Sequence, residues 1–451
     1  MSQNSKKQIK LVTKIIKNLQ LFIESEKTMQ EYRAKDTFFT RESPLSFKLT
    51  TYLILSNLTN TLAAELYKVF KVNGLDTFTK SAFSQRRYQI KPELFVKLNE
   101  ILIESFYQKD KKKNTEVRYW NGFILAAIDG SSCMLPQTAS VKAEFDTHKN
   151  GTKTKQVETI MGRFMVQYDV LNHIIIKSGM YSVKKSELAI TYDWVENLIN
   201  NSLTIFDRGF DSTPLIYLMS LHKKDFLIRL KLNYRIITDE FVASGKLDKI
   251  VTYTTEKKQK FGDRTIPKGT VITFRLVRVT LPNGEIEILA TSLLDRERYP
   301  VSIFAELYHM RWGVETCFDR FKNSLLALCF CGQKAAAIYQ EINAMVLDQN
   351  IHQLLVAPAQ TIVNEKVAEK KEQGIELKHE QAVNNNVTIG ILKIEFTELW
   401  LSENTAKIVR KLVLTFSQFT EPVRPKRSYK RKLKITLRRN LKTQTNYRRA
   451  A

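Results

Sequence analysis

Long apolar runs are missing from this 451-residue chain. No segment approaches the roughly 20 apolar residues that span a bilayer, so no membrane helix is expected. The stretch Met1 to Lys17 is basic but lacks the apolar core and cleavage site of a signal peptide. Cysteine is scarce: four residues do not make a disulfide framework in so long a chain. Cys329 and Cys331 stand one residue apart in an apolar run without a second ligand pair, which argues against zinc. Glycine and proline, at 15 and 10 residues, are modest for a chain of this length. These absences leave a folded, reduced, cytoplasmic protein as the expectation.

Acidic residues are in deficit too. Asp and Glu number 46 against 71 Lys and Arg, giving a formal charge of +25 and a pI near 9.7. Such a surplus implies a polyanionic partner, of which nucleic acid is the commonest for a soluble chain; a membrane surface or a ribosomal neighbour is the plainer alternative. The length and the 43% hydrophobic content allow two or three domains.

Residues 1–115 read as an N-terminal helical domain, with 3.6-type spacing in Leu11–Phe22, Leu45–Ala64, Lys80–Tyr88 and Pro92–Tyr107. The basic helix at Lys80 follows Ser/Thr cap candidates and suits a DNA groove, with Lys80, Arg86 and Arg87 reaching phosphates. A solvated surface helix fits the same residues. The lysine run Lys109 to Lys113 reads as a linker.

A catalytic domain is expected over 116–345. Phe123–Ile128 is a short buried strand; Arg163–Val170 and His173–Met180 are two more, joined by a turn at Asn172. Helix Ser186–Asn200, strand Leu203–Phe206, helix Pro214–His222 and strand Phe226–Leu230 follow. This is an α/β fold class whose element order resembles the ribonuclease H-like fold. A β-rich insertion at about 232–293 interrupts it, with Pro282-Asn283-Gly284 as a hairpin signal between Val271–Thr280 and Glu285–Leu293. Long helices resume at Val301 and pass Asn350. Residues 346–421 form a C-terminal helical region, a possible dimerisation element, containing a helical piece over Ile389–Phe419. The tail 422–451 holds twelve Lys or Arg and no acid, as phosphate-backbone binding by counterion release requires.

Three acids stand out. Asp129 follows the first strand and precedes Gly130-Ser131-Ser132; Asp207 follows Leu203–Phe206. Two acids ending strands of one sheet can share a cation that relieves their repulsion, and hard oxygen donors favour Mg²⁺ or Mn²⁺. Strand-end aspartates are also common turn formers. Glu315 lies on a helix with an apolar stripe of Leu307, Met310, Val314, Phe318, Phe321 and Leu325. Tyr308, Arg311, Glu315 and Lys322 fall beside it within about 60° of arc. An ordinary exposed face with an Arg311–Glu315 ion pair fits that spacing as well.

Tyr308-x2-Arg311-x3-Glu315-x6-Lys322 resembles the YREK signature of the DDE transposases of bacterial insertion sequences, the IS-four-type group. Ala127-Ile128-Asp129-Gly130-Ser131-Ser132 resembles the first-acid motif of that family, and Phe206-Asp207-Arg208-Gly209-Phe210 the second. The resemblance covers roughly residues 40 to 345. It implies Asp129, Asp207 and Glu315 as catalytic and metal-holding acids for two Mg²⁺ or Mn²⁺ ions. Tyr308, Arg311 and Lys322, with Arg208 as a weaker candidate, would grip phosphates.

The implied partners are double-stranded DNA, both transposon ends and target, and a second copy in a homodimeric synaptic complex, with nucleoid association and no membrane. The implied activity is cut-and-paste transposition through a hairpin intermediate. The alternatives are a nuclease without strand transfer and a transposase-derived DNA-binding protein. A tryptophan that stacks on a flipped base in some relatives has no counterpart between Trp194 and Trp312; Tyr253, Phe261 and Phe274 are the candidate substitutes. Trp312 is expected to pack.

Overall fold

Six helices open the chain: α1 (Gln3–Glu24), α2 (Glu26–Tyr32), α3 (Phe47–Leu55), α4 (Leu62–Asn73), α5 (Lys80–Arg87) and α6 (Glu93–Tyr107). The computed structural model describes residues 1–56, 62–73, 78–107, 116–152, 155–281, 284–321 and 330–424. The lysine run at 109–113, the Pro282-Asn283 pair, Lys322, Cys329 and nearly all of the basic tail lie outside them. Side-chain caps fix four of the helix starts: Ser2, Ser25, Ser46 and Thr79 each accept the N–H three residues on. Apolar residues at helical spacing, Ile9, Val12, Ile16, Leu19 and Ile23 on α1, then bury one face.

The central sheet is built from β1 (Ile124–Met134), β2 (Thr147–Thr152), β3 (Lys155–Asp169), β4 (Ile174–Ser182), β5 (Ser202–Phe206) and β6 (Asp225–Arg229). Helix α7 (Ala139–Phe145) follows β1, α8 (Glu187–Trp194) follows β4, and α9 (Thr213–Leu221) joins β5 to β6. β3 lies antiparallel between β1 and β4, whereas β1, β5 and β6 run parallel. The fold is therefore mixed α/β, with antiparallel strands first and alternating parallel strands and helices after them.

The insertion supplies α10 (Ile236–Ala243), β7 (Asp248–Thr254), a small hairpin of β8 (Gln259–Phe261) and β9 (Arg264–Ile266), then β10 (Val271–Thr280) and β11 (Ile286–Thr291). Its long strands do not form a separate body. β11 pairs with β6, so the sheet grows outward in the order β6-β11-β10-β7. The β10–β11 pair is antiparallel, as the hairpin signal predicts, and Gly284 takes the positive φ of 81° in its turn.

Helices α11 (Phe304–His309) and α12 (Trp312–Asp319) follow, and then the 38-residue α13 (Ala335–Glu372). The end of the chain adds β12 (Gln381–Val383), α14 (Asn385–Leu401), α15 (Thr405–Phe416) and β13 (Thr420–Pro422). The sequence expectation of one helical piece over Ile389–Phe419 divides in two, with Asn404 capping the second part.

Three apolar cores result. One face of the sheet buries Leu125, Ala127, Leu203 and Ile205 with Val314, Phe318 and Phe321. The opposite face buries Ile128, Phe206 and Met165 with residues of α8 and α9. The third core is mainly helical, with Ile174 of β4 and Val383 of β12 at its edge, and joins α1–α6 to the later part of α13, α14 and α15. The N-terminal and C-terminal helical regions, expected as separate domains, thus share one core. The expected boundary at 345/346 falls inside α13. Polar links tie this body to the sheet: the Asn350 side chain donates to Asn99 Oδ1 (2.7 Å) and accepts from the Ile175 N–H (2.7 Å).

Candidate active site

Asp129 does not follow its strand, as the sequence suggested, but lies within it. The apolar run stops at Ile128 because the parallel neighbour β5 ends there, the last paired residues being Ala127 and Ile205. β1 continues to Met134 because its other edge stays paired with β3, Asp129 opposite Val166 and Ser132 opposite Arg163. Carried two residues beyond Ala127 and Ile205, the same register sets Asp129 beside Asp207. Neighbouring strands are about 4.8 Å apart, and side chains alternate between faces. Both aspartates therefore project on the face of Leu125, Ala127, Leu203 and Ile205, the face that α12 covers.

Each carboxylate is oriented by the next turn of backbone. The Gly130 N–H donates to Asp129 Oδ1 at 2.8 Å, and the Gly209 N–H to Asp207 Oδ1 at 2.8 Å. Burial, above all, raises the Asp129 carboxyl to about 7; the Gly130 N–H opposes this, Asp207 and Glu187 add to it, and Arg311 opposes it again. Folding therefore favours the protonated form. Stability is fully present below the unfolded pKa near 4 and is lost as pH rises towards 7. Asp129→Asn is thus expected to stabilise the chelator-treated protein by roughly 3 kcal/mol at pH 8 and hardly at all at pH 4. Urea unfolding at the two pH values measures this; an equal change at both would assign the gain to something other than the buried charge.

The third motif is not one straight helix. The chain turns at Met310–Arg311, between α11 and α12, so Tyr308 sits on the first helix and Glu315 on the second. The apolar stripe survives this break: Leu307, Val314, Phe318 and Phe321 are buried, and the Phe321 ring stacks on Phe164 at 4.8 Å. Arg311 Nη2 donates to Glu315 Oε1 at 2.9 Å. Burial lowers the Arg311 pKa, but the Glu315 bond and the nearby Tyr308, Glu315 and Asp129 together raise it above its ordinary value. Arg311 is thus bonded to Glu315 and feels the charge of Asp129. Tyr308 is half-buried; burial raises its phenol most, Arg311 and Arg229 counter, and Glu287 and Asp207 add. Lys322 lies outside the described residues.

The donor set fits a hard divalent cation at the aspartate pair: adjacent oxygen ligands that repel one another, one of them held partly protonated by its surroundings. Among the described residues no three His, Cys, Asp or Glu gather to hold a metal. In this structure Glu315 therefore does not join the pair.

The remaining expectations separate. Lys80 is exposed on α5 and Arg208 is exposed after Asp207. Arg86 is half-buried, donating to the Leu45 carbonyl and to Gln89 at 2.9 Å each. Arg87 does not face a groove: it is buried, its Nη1 2.7 Å from Glu341 Oε1. Phe274 is also buried, and Phe261 packs edge-on against Tyr192. Tyr253 is exposed on the edge strand β7, and Trp312, expected to pack, is 49% exposed.

Sequence reading missed Glu187, the first residue of α8, and a cavity of about 420 Å³ lined by Arg208, Arg229, Lys231, Tyr234, Glu285 and Glu287. The Lys231 ammonium lies 5.0 Å from the centre of the Tyr234 ring, which is 61% exposed. Only the adjacency of Lys231 and Tyr234 just after a buried strand could have signalled this surface.

The family described as the transposase DDE domain matches residues 120–347. The transposase InsG for insertion sequence element IS4 of Escherichia coli (strain K12) is 27% identical over 240 residues, 52% of each chain. The putative transposase InsZ of the same organism is 23% identical over 155 residues, 34% of this chain and 48% of that protein. The chain thus spans about half the length of these curated relatives. A chain from a cryo-EM structure of a piggyBac transposase synaptic complex with hairpin DNA superposes with a TM-score of 0.38 at 12% identity, covering 94% of this chain and 87% of that one. No helix among the described residues is long and apolar enough to cross a membrane.

Proposed function

The chain belongs to the transposase DDE-domain family, and from that premise we propose that it is a transposase of IS4 type that cuts DNA at the ends of a mobile element and joins them to a target. The carrying observation is the register that sets Asp129 beside Asp207 on the face covered by the Glu315 helix. The strand order β4-β3-β1-β5-β6, with β3 alone antiparallel to both neighbours, supports a ribonuclease H-like core.

Asp129 and Asp207 would together hold one Mg²⁺ or Mn²⁺ ion, and Glu315, once released from Arg311, would complete a second site. Such ions supply an activated oxygen nucleophile and charge stabilisation at the leaving oxygen. The protein's own groups position the DNA. Arg311 exchanges its carboxylate partner for a phosphate at the cleaved end, with Tyr308 beside it, and Lys322 is assigned to the same phosphates on the motif alone. In the first step water oxygen bonds to phosphorus and the bond to the 3′ oxygen breaks, leaving a 3′-hydroxyl. That hydroxyl oxygen then bonds to a second phosphorus, on the opposite strand in a hairpin route or in target DNA, as the bond from that phosphorus to its own 3′ oxygen breaks and a new 3′-hydroxyl leaves with the proton. Exposed Lys80 and Arg208, with the basic tail, would hold the duplex backbone. Tyr234, exposed beside the cavity that Arg208 lines, is better placed than Tyr253 or Phe261 to stack on an unpaired base. A homodimer holding two ends completes this reading.

The test is an end-labelled duplex carrying the inverted repeat that flanks the gene, incubated with the full chain, Mn²⁺ and a target plasmid. A nick leaving a 3′-hydroxyl, followed by joined product, is the expected result. Nicking without joining would make the protein a nuclease, and binding without either would make it a DNA-binding protein only.

A further inference from the structure

Glu187 approaches the β1 backbone next to Asp129 from the side of the sheet opposite to Glu315. It occupies the first turn of α8, whose Ser186 cap accepts the Ala189 N–H at 3.1 Å; a carboxylate is favoured at that helix end. Its side chain fills the space that a side chain at Gly130 would need. A Cβ on Gly130 would lie 2.8 Å from both Cγ and Cδ of Glu187, and 2.6 Å from Met165 Sδ. The end of the Glu187 side chain therefore lies against the backbone of the residue that follows Asp129.

Arg163 holds Glu187 there. It stands opposite Ser132 on β3, and its Nε is 3.5 Å from Glu187 Oε1, while its Nη1 donates to the Lys185 carbonyl. Glu187 nonetheless remains 36% exposed. Burial raises its carboxyl pKa first, Arg163 lowers it and Asp207 raises it again. Glu187 in turn raises Asp129. The three carboxylates sense one another although they come from β1, the end of β5 and the start of α8.

We propose that Glu187 is a positioning residue for the Asp129–Asp207 pair, packed into the Gly130 gap so that its negative charge strengthens divalent-cation binding there without itself being a ligand. The proposal rests on the reading of that pair as the cation-holding carboxylates. Arg163 is the counterweight, since it neutralises part of the charge Glu187 contributes. The two residues consequently have effects of opposite sign on cation affinity, which a shared role in packing would not produce.

The probe is Mn²⁺ alone, titrated into the full chain and followed by the electron paramagnetic resonance of the free ion, with thermal unfolding of each variant alongside. Glu187→Gln, nearly identical in shape, is expected to weaken Mn²⁺ binding roughly tenfold. Glu187→Asp should restore part of the loss, and Arg163→Gln should tighten binding. Affinity within twofold of wild type in Glu187→Gln, while Asp129→Asn loses binding, overturns this proposal and leaves the aspartate pair standing. Weakening by both Glu187→Gln and Arg163→Gln would make Glu187 a packing residue and also overturns it. Unchanged binding in Asp129→Asn overturns the reading of the pair, and this proposal with it.

Discussion

Asp129→Ala and Asp207→Ala proteins are expected to bind a terminal-repeat duplex as wild type does, yet to nick it at least about 10³-fold more slowly, a loss of about 4 kcal/mol in transition-state stabilisation. The two side chains are set by the sheet rather than by a mobile loop: β1 is paired with β3 through Asp129, and Asp207 ends a strand buried along its whole length. Removing either leaves its partner without a second oxygen donor at a site where two are needed. Glu315→Ala is expected to lose cleavage to a similar degree, but for another reason. It leaves the aspartate pair intact and frees Arg311, so affinity for the DNA end should hold or improve. Arg311→Ala should do the reverse, weakening binding and flattening its salt dependence by about one phosphate contact. Gel-shift titrations over a range of salt, run beside the nicking assay, separate these outcomes. Cleavage that persists in any of the three acid variants would remove that residue from the chemistry.

The largest effect on stability is expected away from this site. Glu341→Ala should cost about 3–5 kcal/mol in urea unfolding, because it strands a buried guanidinium. Arg87 Nη1 lies 2.7 Å from Glu341 Oε1, and its Nε donates to Gln340. Gln340 in turn donates to the carbonyls of Arg87 and Ile90. Glu341 Oε1 also accepts the Gly332 N–H, and Glu341 Oε2 accepts the Cys331 N–H. The network therefore joins α5, α13 and the loop before α13. Replacing both charges together, as Arg87→Met with Glu341→Leu, should recover much of the loss, since the cost lies in leaving one charge unpaired. A Glu341→Ala protein that unfolds like wild type would show that water reaches this pair.

Arg87 also shows where the sequence misleads. The Lys80–Arg87 helix and its Thr79 cap were legible locally, but the acid that claims Arg87 lies 254 positions further on. A cation on a short basic helix looks free until that partner is in place. Strand β1 was misread for a related reason: apolar patterning ends where burial ends, whereas pairing with β3 carries the strand through Gly130 and Ser132. Of the apolar stripe around Glu315, Leu307, Val314, Phe318 and Phe321 are buried across a break in the helix, Met310 only partly, and Leu325 lies outside the described residues, because burial depends on which residues meet the sheet rather than on helix continuity. The succession of core elements along the chain was legible too, because short apolar runs such as Leu203–Phe206 mark buried strands. Glu187 was not, since nothing local marks a carboxylate that approaches the β1 backbone next to Asp129 from the opposite side of the sheet.

Helix α13 carries 38 residues, roughly 57 Å of helical rise, with Pro358 inside it. Ile338, Ile342 and Met345 seat one end in the core under the sheet, and Leu347, Ile351 and Leu355 seat the next turns among the helices. Neither body has a complete interior without it, so heating should melt both in one step. A fragment ending at residue 345 would lack Leu347, Ile351 and Leu355 and so uncover the apolar faces of α1, α3 and α6 that pack against them.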